Sequence, residues 1–249
     1  MKLLDLFAGI GGISLGAHWA GIETVGFCEI DPFCQKILKK HWPNVPIWPD
    51  VKELTGDEIR EACGAVDIIA GGFPCQPYSV AGKRKGEEDD RALWPEMLRI
   101  ISEVRPRWVV GENVAGFINM GLDNSLDDLD VEGYSSQTFL LPARGIGAFH
   151  QRYRVFIVAH LNGERMEGGA KKAVLGQSLL PCRQISQPFQ DAERRFHSYQ
   201  SRLCRSLHGL PFGVDRVRAL GNAVVPQQIY PIFKAIMDIE NGGAQTIMT

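Results

Sequence analysis

The chain has no apolar run long enough to span a bilayer, no Cys-x-x-Cys pair and no internal repeat. The first absence argues against a membrane protein, the second against structural zinc, and the third against a solenoid or propeller. Cysteines at 28, 34, 63, 75, 182 and 204 are too sparse in 249 residues for a disulfide framework. Reduced thiols, a cytoplasmic setting and no bound metal are therefore expected. The opening Met-Lys-Leu-Leu-Asp-Leu-Phe reads as a strand and carries an acid within five residues, unlike a secretory leader. Charge of one sign is also lacking, since the net charge is −2, but that average conceals an asymmetry. Residues 144 to 218 hold 13 Lys+Arg against 5 Asp+Glu, which leaves the remainder acidic. A basic stretch of this kind suits a nucleic-acid-facing surface and an ordinary solvated one equally, so charge alone does not separate them. At 45% hydrophobic content there is material for one domain with a core and at most a small insertion.

Read in order, Lys2 to Phe7 predicts a strand, Ala8-Gly9-Ile10-Gly11-Gly12 a glycine loop, and Ile13 to Ala20 a helix stopped by Gly21. Such a junction lets a ligand approach the backbone and aims helix N–H groups at it. The dinucleotide fingerprint is broken because Ser14 stands where its third glycine belongs, which disfavours NAD. Thr24 to Glu29 predicts a second strand ending in an acid, the usual place for a ribose ligand. Asp31-Pro32 is an N-cap and first helical residue for a helix to His41. Val45 to Trp48 is a short strand with Asp50 just beyond it, placed to accept from an adenine amino group. Thr55-Gly56-Asp57-Glu58 is a capping box opening a helix to Cys63.

Val66 to Ala70 predicts a buried parallel strand that delivers Gly-Gly-Phe-Pro-Cys-Gln-Pro-Tyr-Ser, residues 71 to 79, at its C-terminal end. Pro74 and Pro77 restrict the backbone on both sides of Cys75, which suits a presented nucleophile. Residues 80 to 92 are polar, either a solvated linker or a lid. Leu93, Met97, Ile100, Ile101 and Val104 repeat at helical spacing. Arg107 to Gly111 predicts another strand, with Glu112-Asn113-Val114 at its end. Residues 119 to 133 read as an acidic loop, 136 to 142 and 154 to 160 as a closing antiparallel pair, and 161 to 208 as an irregular insertion. The domain boundaries are thus 1–160, 161–208 and 209–249, the last completing the first through a helix with Ile229, Ile232, Phe233, Ile236 and Met237 on its apolar face. The fold class is α/β, a Rossmann-like mixed sheet with helices on both faces, and in such a sheet the strand ends face one crevice.

Six of these segments, in this linear order, resemble motifs of the C5-cytosine-specific DNA methyltransferases, and the resemblance covers residues 2–160 and 209–240. Asp-Leu-Phe-Ala-Gly-Ile-Gly-Gly at 5–12 is similar to the family's S-adenosylmethionine loop. Gly-Phe-Pro-Cys-Gln at 72–76 is similar to its nucleophile motif and Glu112-Asn113-Val114 to its acid motif. Arg152-Tyr153-Arg154 and Gly221-Asn222-Ala223-Val224 resemble its Arg-x-Arg and closing motifs, the latter lying beside the cofactor loop in the family. The resemblance implies Cys75, Glu112, Arg152 and Arg154 as catalytic residues. It implies Phe7, Ala8, Gly9, Gly11, Gly12, Glu29, Ile30, Asp50, Val51, Pro74, Asn222 and Val224 around S-adenosyl-L-methionine. Two features depart from the pattern: His150 replaces a glutamine common in the family, and the insertion is short for a target recognition domain.

Implied too is double-stranded DNA as partner; a monomer is expected, and pairing with a cognate restriction endonuclease is left open. The chemistry would be addition of the Cys75 thiolate to C6 of a flipped cytosine, with protonated Glu112 at N3 and Arg154 at O2. Two alternatives stay open at this point. The same catalytic residues would serve a tRNA cytosine, and the short insertion would also fit a catalytically weak DNA-binding remnant.

Overall fold

The computed structural model describes residues 1–74, 93–143, 152–162, 219, 221 and 223–241. Its elements alternate from the start: β1 (Lys2–Leu6), α1 (Gly12–Trp19), β2 (Glu23–Cys28), α2 (Pro32–His41), β3 (Ile47–Trp48), α3 (Gly56–Cys63) and β4 (Ile68–Gly71). After them come α4 (Trp94–Val104), β5 (Trp108–Val114), α5 (Leu122–Val131), β6 (Tyr134–Pro142), β7 (Tyr153–Leu161) and α6 (Pro226–Glu240). The strands form one sheet in the order β3-β2-β1-β4-β5-β7-β6. β1 to β5 are parallel, whereas β7 runs antiparallel between β5 and β6, so the sheet is mixed as expected.

Alternation along the strands assigns the two faces. Leu3, Ile68, Ala70, Trp108, Val110 and Phe156 pack under α1 and α6, with Ile13, Ala17, Ile229, Ile232, Phe233 and Ile236. Leu4, Leu6, Ile69, Val109, Val155 and Ile157 face the other way, against Ile59 of α3, Met97, Ile100 and Ile101 of α4 and Leu129 of α5. Helices therefore cover both faces, and the strand order reverses between β1 and β4, where such folds place their sites. Local signals fixed several ends as read from sequence. The Asp31 carboxylate accepts from Phe33 N–H at 2.8 Å, and Thr55 and Glu58 form the reciprocal capping box.

Two expectations are corrected. The acidic stretch 119–133 is not a loop: a 3-10 turn over Ala115–Asn119 leads into α5. Its buried residues Leu122, Ser125 and Leu129 are spaced as one face of a helix, and Trp94 Nε1 donates to Asp128 at 2.8 Å, so tertiary contacts override weak propensity. Nor does β5 stop before Glu112. It continues to Val114 because β7 pairs alongside, with Glu112 opposite Phe156 and Val114 opposite Arg154. β4 has already ended at Gly71, opposite Gly111, so β5 projects past its parallel neighbour and leaves a ledge there. Among the described residues no helix is long and apolar enough to cross a membrane, and no group of three His, Cys, Asp or Glu could hold a metal.

Candidate active site

The ledge carries the acid. Glu112 lies two residues beyond Val110 on the face covered by α1 and α6, and Arg154 lies two residues before Phe156 on that same face. The two side chains meet: Arg154 Nε is 2.8 Å from Glu112 Oε1. Glu112 is only 7% exposed, and its carboxyl is raised above the ordinary glutamate range. Burial is the largest cause and outweighs the opposing pull of Arg154 and Arg152. Two influences thus conflict, and the desolvated position dominates, leaving an acid that keeps its proton more readily than a surface glutamate.

The other Glu112 oxygen faces the nucleophile segment. A Cβ built on Gly72 would lie 3.1 Å from Glu112 Oε2 and 3.4 Å from Val224 Cγ2, so only a residue without a side chain fits this approach comfortably. Phe73, 3% exposed, packs its ring against Trp94 and Phe117, and its carbonyl accepts from Asn113 Nδ2 at 3.2 Å. These contacts hold the segment as far as Pro74, which is exposed. Cys75, Asn222 and His150 lie outside the described residues.

Arg152 behaves differently from Arg154. Its backbone has a positive φ of 24°, and its Nη2 donates to the carbonyls of Gly221 at 2.9 Å and Ala223 at 2.7 Å. Burial and the neighbouring Arg154 lower its pKa, with Glu112 opposing. It ties the arginine pair to the closing segment, and that segment in turn touches the glycine loop. A Cβ on Gly12 would stand 2.2 Å from the Val224 carbonyl oxygen, inside any allowed contact. The sequence expectation that Val224 sits beside this loop agrees with the structure.

On the cofactor side, Phe7, Gly9 and Gly11 all have positive φ, of 57°, 54° and 85°, so the chain turns sharply off β1. Ala8 is buried and its N–H donates to Cys28 O at 3.1 Å, docking the loop against β2. Glu29 sits just past β2, with Oε2 accepting from Gly9 N–H at 2.6 Å and Oε1 from Asp31 N–H at 2.7 Å. Its carboxyl is raised, burial being the largest cause. Beside it Ile30 is 71% exposed, an uncovered apolar side chain next to an acid. Asp50 follows β3 and accepts from Lys52 N–H at 2.9 Å, while Val51 is buried. A Cβ on Gly9 would meet nothing within 4 Å among the described residues, which leave space open before the loop. An open glycine turn, an acid at the second strand end, an exposed aliphatic face and a further acid after β3 fit the adenosine half of S-adenosylmethionine. Cys28, also nearby, is pushed up to about 12 by burial and by Glu29 and Asp50, which makes it a poor nucleophile.

One residue escaped the sequence reading. Gln228 of α6 is fully buried, and its Nε2 donates to Leu141 O at 2.9 Å and Arg152 O at 3.2 Å. A signal was available: Gln228 precedes Ile232 and Ile236 by four and eight residues, on the buried stripe of the helix.

Comparison with known proteins points to one family. A family model described as C-5 cytosine-specific DNA methylase matches residues 1–209. Type II methyltransferase M.AquIA of Picosynechococcus sp. is 34% identical over 67% of this chain and 74% of its own. Type II methyltransferase M.HgiBI of Herpetosiphon aurantiacus is 35% identical over 97% of this chain but 54% of its own, and M.HgiCII from the same organism is covered over 36%. The chain therefore spans well under two thirds of several of its relatives. Among solved structures, a Spodoptera frugiperda DNMT2 mutant is similar at 27% identity and a TM-score of 0.56, over 65% of this chain and 50% of that one. Schizosaccharomyces pombe Dnmt2 shares the fold at 17% identity and a TM-score of 0.66, over 97% of this chain and 99% of that one.

Proposed function

This chain belongs to the C-5 cytosine-specific DNA methylase family, and from that premise we propose that it is a DNA (cytosine-5-)-methyltransferase using S-adenosyl-L-methionine. The observation that carries the reading is the Glu112–Arg154 pair. A buried acid inclined to keep its proton is bridged by a guanidinium, against Gly72, three residues before Cys75. Cytosine C5 is a weak nucleophile until a group adds at C6, and Cys75 is the residue that adds, as thiolate. Glu112 donates its proton toward N3 and draws charge from the ring, while Arg154 holds O2 as negative charge develops. Arg152 keeps Arg154 and Glu112 in register from the closing segment. Ring atoms C5 and C6 are shielded in a stacked duplex, so the base is extruded before Cys75 can reach it.

Phe7, Ala8, Gly9, Gly11 and Gly12 would hold the cofactor from the glycine loop, with Glu29 for the ribose hydroxyls and Ile30, Asp50 and Val51 for the adenine. Pro74, Asn222 and Val224 would complete its binding set. When bound, S-adenosylmethionine supplies the methyl group that C5 accepts. Loss of the C5 proton to a solvent water and elimination of the Cys75 thiolate then restore the aromatic ring. On this reading the protein acts on duplex DNA as a cytoplasmic monomer, and the Type II methyltransferase names of its relatives support methyl transfer as the activity.

The test is tritium transfer from labelled S-adenosylmethionine to duplex DNA, with transfer RNA as the competing acceptor. Expected is 5-methylcytosine in DNA, lost by at least about a hundredfold in Cys75→Ala while cofactor binding by calorimetry persists. Transfer to RNA alone, or retained turnover without the thiol, would overturn the reading.

A further inference from the structure

Gln228 and Arg152 make a reciprocal pair of contacts. Arg152 reaches from the start of β7 to the carbonyls of Gly221 and Ala223, just before α6, and Gln228 reaches from the first turn of α6 back to the Arg152 carbonyl. The same Gln228 amide also takes the Leu141 carbonyl of β6, so one side chain stitches both strands of the hairpin to the helix. Between these contacts lies Val224, whose carbonyl presses on Gly12 of the glycine loop and whose methyl group approaches Gly72 of the nucleophile segment. The arrangement is costly to keep without a purpose. Gln228 Oε1 and Arg152 Nε are buried with no partner among the described residues, and Arg152 holds a left-handed backbone.

We propose that Gln228 is a positioning residue that, through Arg152 and the closing segment, couples the cofactor loop to the Glu112–Arg154 pair, so that both halves of the site are set together. The inference rests on the methyltransferase reading for its purpose. Its physical content is a linkage between two places that do not touch: the glycine loop at the end of β1 and the acid on β5. An apolar residue at 228 would leave the Leu141 carbonyl without this donor and the Arg152 carbonyl with the longer bond from Ala143 N–H at 3.3 Å, loosening the Arg152 backbone. The Arg152 guanidinium would then leave the surroundings of Glu112, where its charge favours the ionised carboxylate.

The test reads the two ends without methyl transfer. The Glu112 carboxyl is titrated by carbon NMR, assigned by its loss in Glu112→Gln, and S-adenosylhomocysteine binding is measured by calorimetry. In Gln228→Met the Glu112 titration is expected to rise by about half a pH unit or more, with affinity for S-adenosylhomocysteine falling about tenfold. Ile232→Ala, a cavity on the same buried stripe of α6, should lower the melting temperature and move neither readout. If Gln228→Met does not fold, Gln228→Glu, which keeps the length but loses the amide donors, is read the same way. Unchanged Glu112 titration, unchanged affinity, or movement of only one of them would overturn the coupling. A protein that binds S-adenosylhomocysteine and shows the linkage yet never methylates DNA would sink the functional reading and leave the clamp standing.

Discussion

Asp5, the fourth residue of β1, accepts from both the N–H and the hydroxyl of Ser14, at 3.2 and 2.7 Å, and yet its pKa is raised to about 7. Burial is the dominant cause, since the residue is fully enclosed and its Oδ1 has no partner among the described residues. A carboxyl whose folded pKa lies above its unfolded value stabilises the fold fully only below the unfolded pKa, and that contribution is lost as pH rises through the folded one. The window runs from 3.8 to about 7. At about 1.4 kcal/mol per pH unit, the loss across it is at most ~4 kcal/mol. Urea unfolding of the wild type between pH 4 and 8 should show stability falling with this slope, superimposed on other groups, and Asp5→Asn should flatten it. An unchanged slope in the variant would mean that Asp5 is ionised in the fold throughout. Glu112 follows the same sign, its carboxyl raised above the ordinary glutamate range chiefly by burial.

Among the elements, those with strong local signals were legible in the sequence and those that depend on neighbours were not. The capped helices α2 and α3, the apolar strands and the amphipathic α4 and α6 were all visible in residue patterns, and with them the glycine loop, Glu29 and the order of the site segments. α5 was hidden because Asp123, Asn124, Asp127, Asp128 and Asp130 dilute its two buried leucines, and packing against β6, α4 and the 3-10 turn, with Trp94 Nε1 on Asp128, supplies what the residue pattern does not. The extension of β5 was hidden because it is imposed by β7, more than forty residues away in sequence. Gln228 was hidden because its partners are backbone carbonyls, which no residue pattern displays. The junction of α1 and α6 offers an element-scale test. Gly12→Ala places a methyl group 2.2 Å from a backbone oxygen that belongs to a segment held by Arg152, so neither side can yield easily. It should cost about 1–3 kcal/mol and weaken S-adenosylhomocysteine binding measurably. Gly116→Ala, whose nearest neighbour is the flexible end of Met120 at 3.4 Å, should do neither. Equal effects in the two variants, by melting and calorimetry, would show that the contact between the loop and Val224 has no special role.

For the whole molecule the question is where DNA affinity comes from. The described sheet carries Glu112 and Arg154, with α6 fastened at both ends: Gln228 reaches the hairpin, and Glu240 pairs with Arg107 and accepts from Trp108 Nε1 at 2.8 Å. Excess positive charge is concentrated instead between residues 144 and 218, and much of it falls in the irregular insertion, at Lys171, Lys172, Arg183, Arg194, Arg195, Arg202 and Arg205. Lysine and arginine contacts to phosphate supply affinity without reading sequence. Binding should therefore be dominated by counterion release, with log K falling by about 0.9 per neutralised phosphate for each decade of salt. Deleting the insertion tests this directly, and the structure sets the cut: β7 runs to Leu161 and Asn162 N–H donates to Gly133 O at 3.0 Å, so the excision should begin at 163 and end at 208. The shortened protein should keep its melting temperature within a few degrees and its S-adenosylhomocysteine affinity, because the cores among the described residues are built from residues 1–161 and 224–237. It should lose DNA binding by fluorescence anisotropy, with the salt slope of any residual binding reduced toward zero. If it still methylates DNA at the same sites, recognition resides in the catalytic sheet, and the basic segment is only a solvated surface.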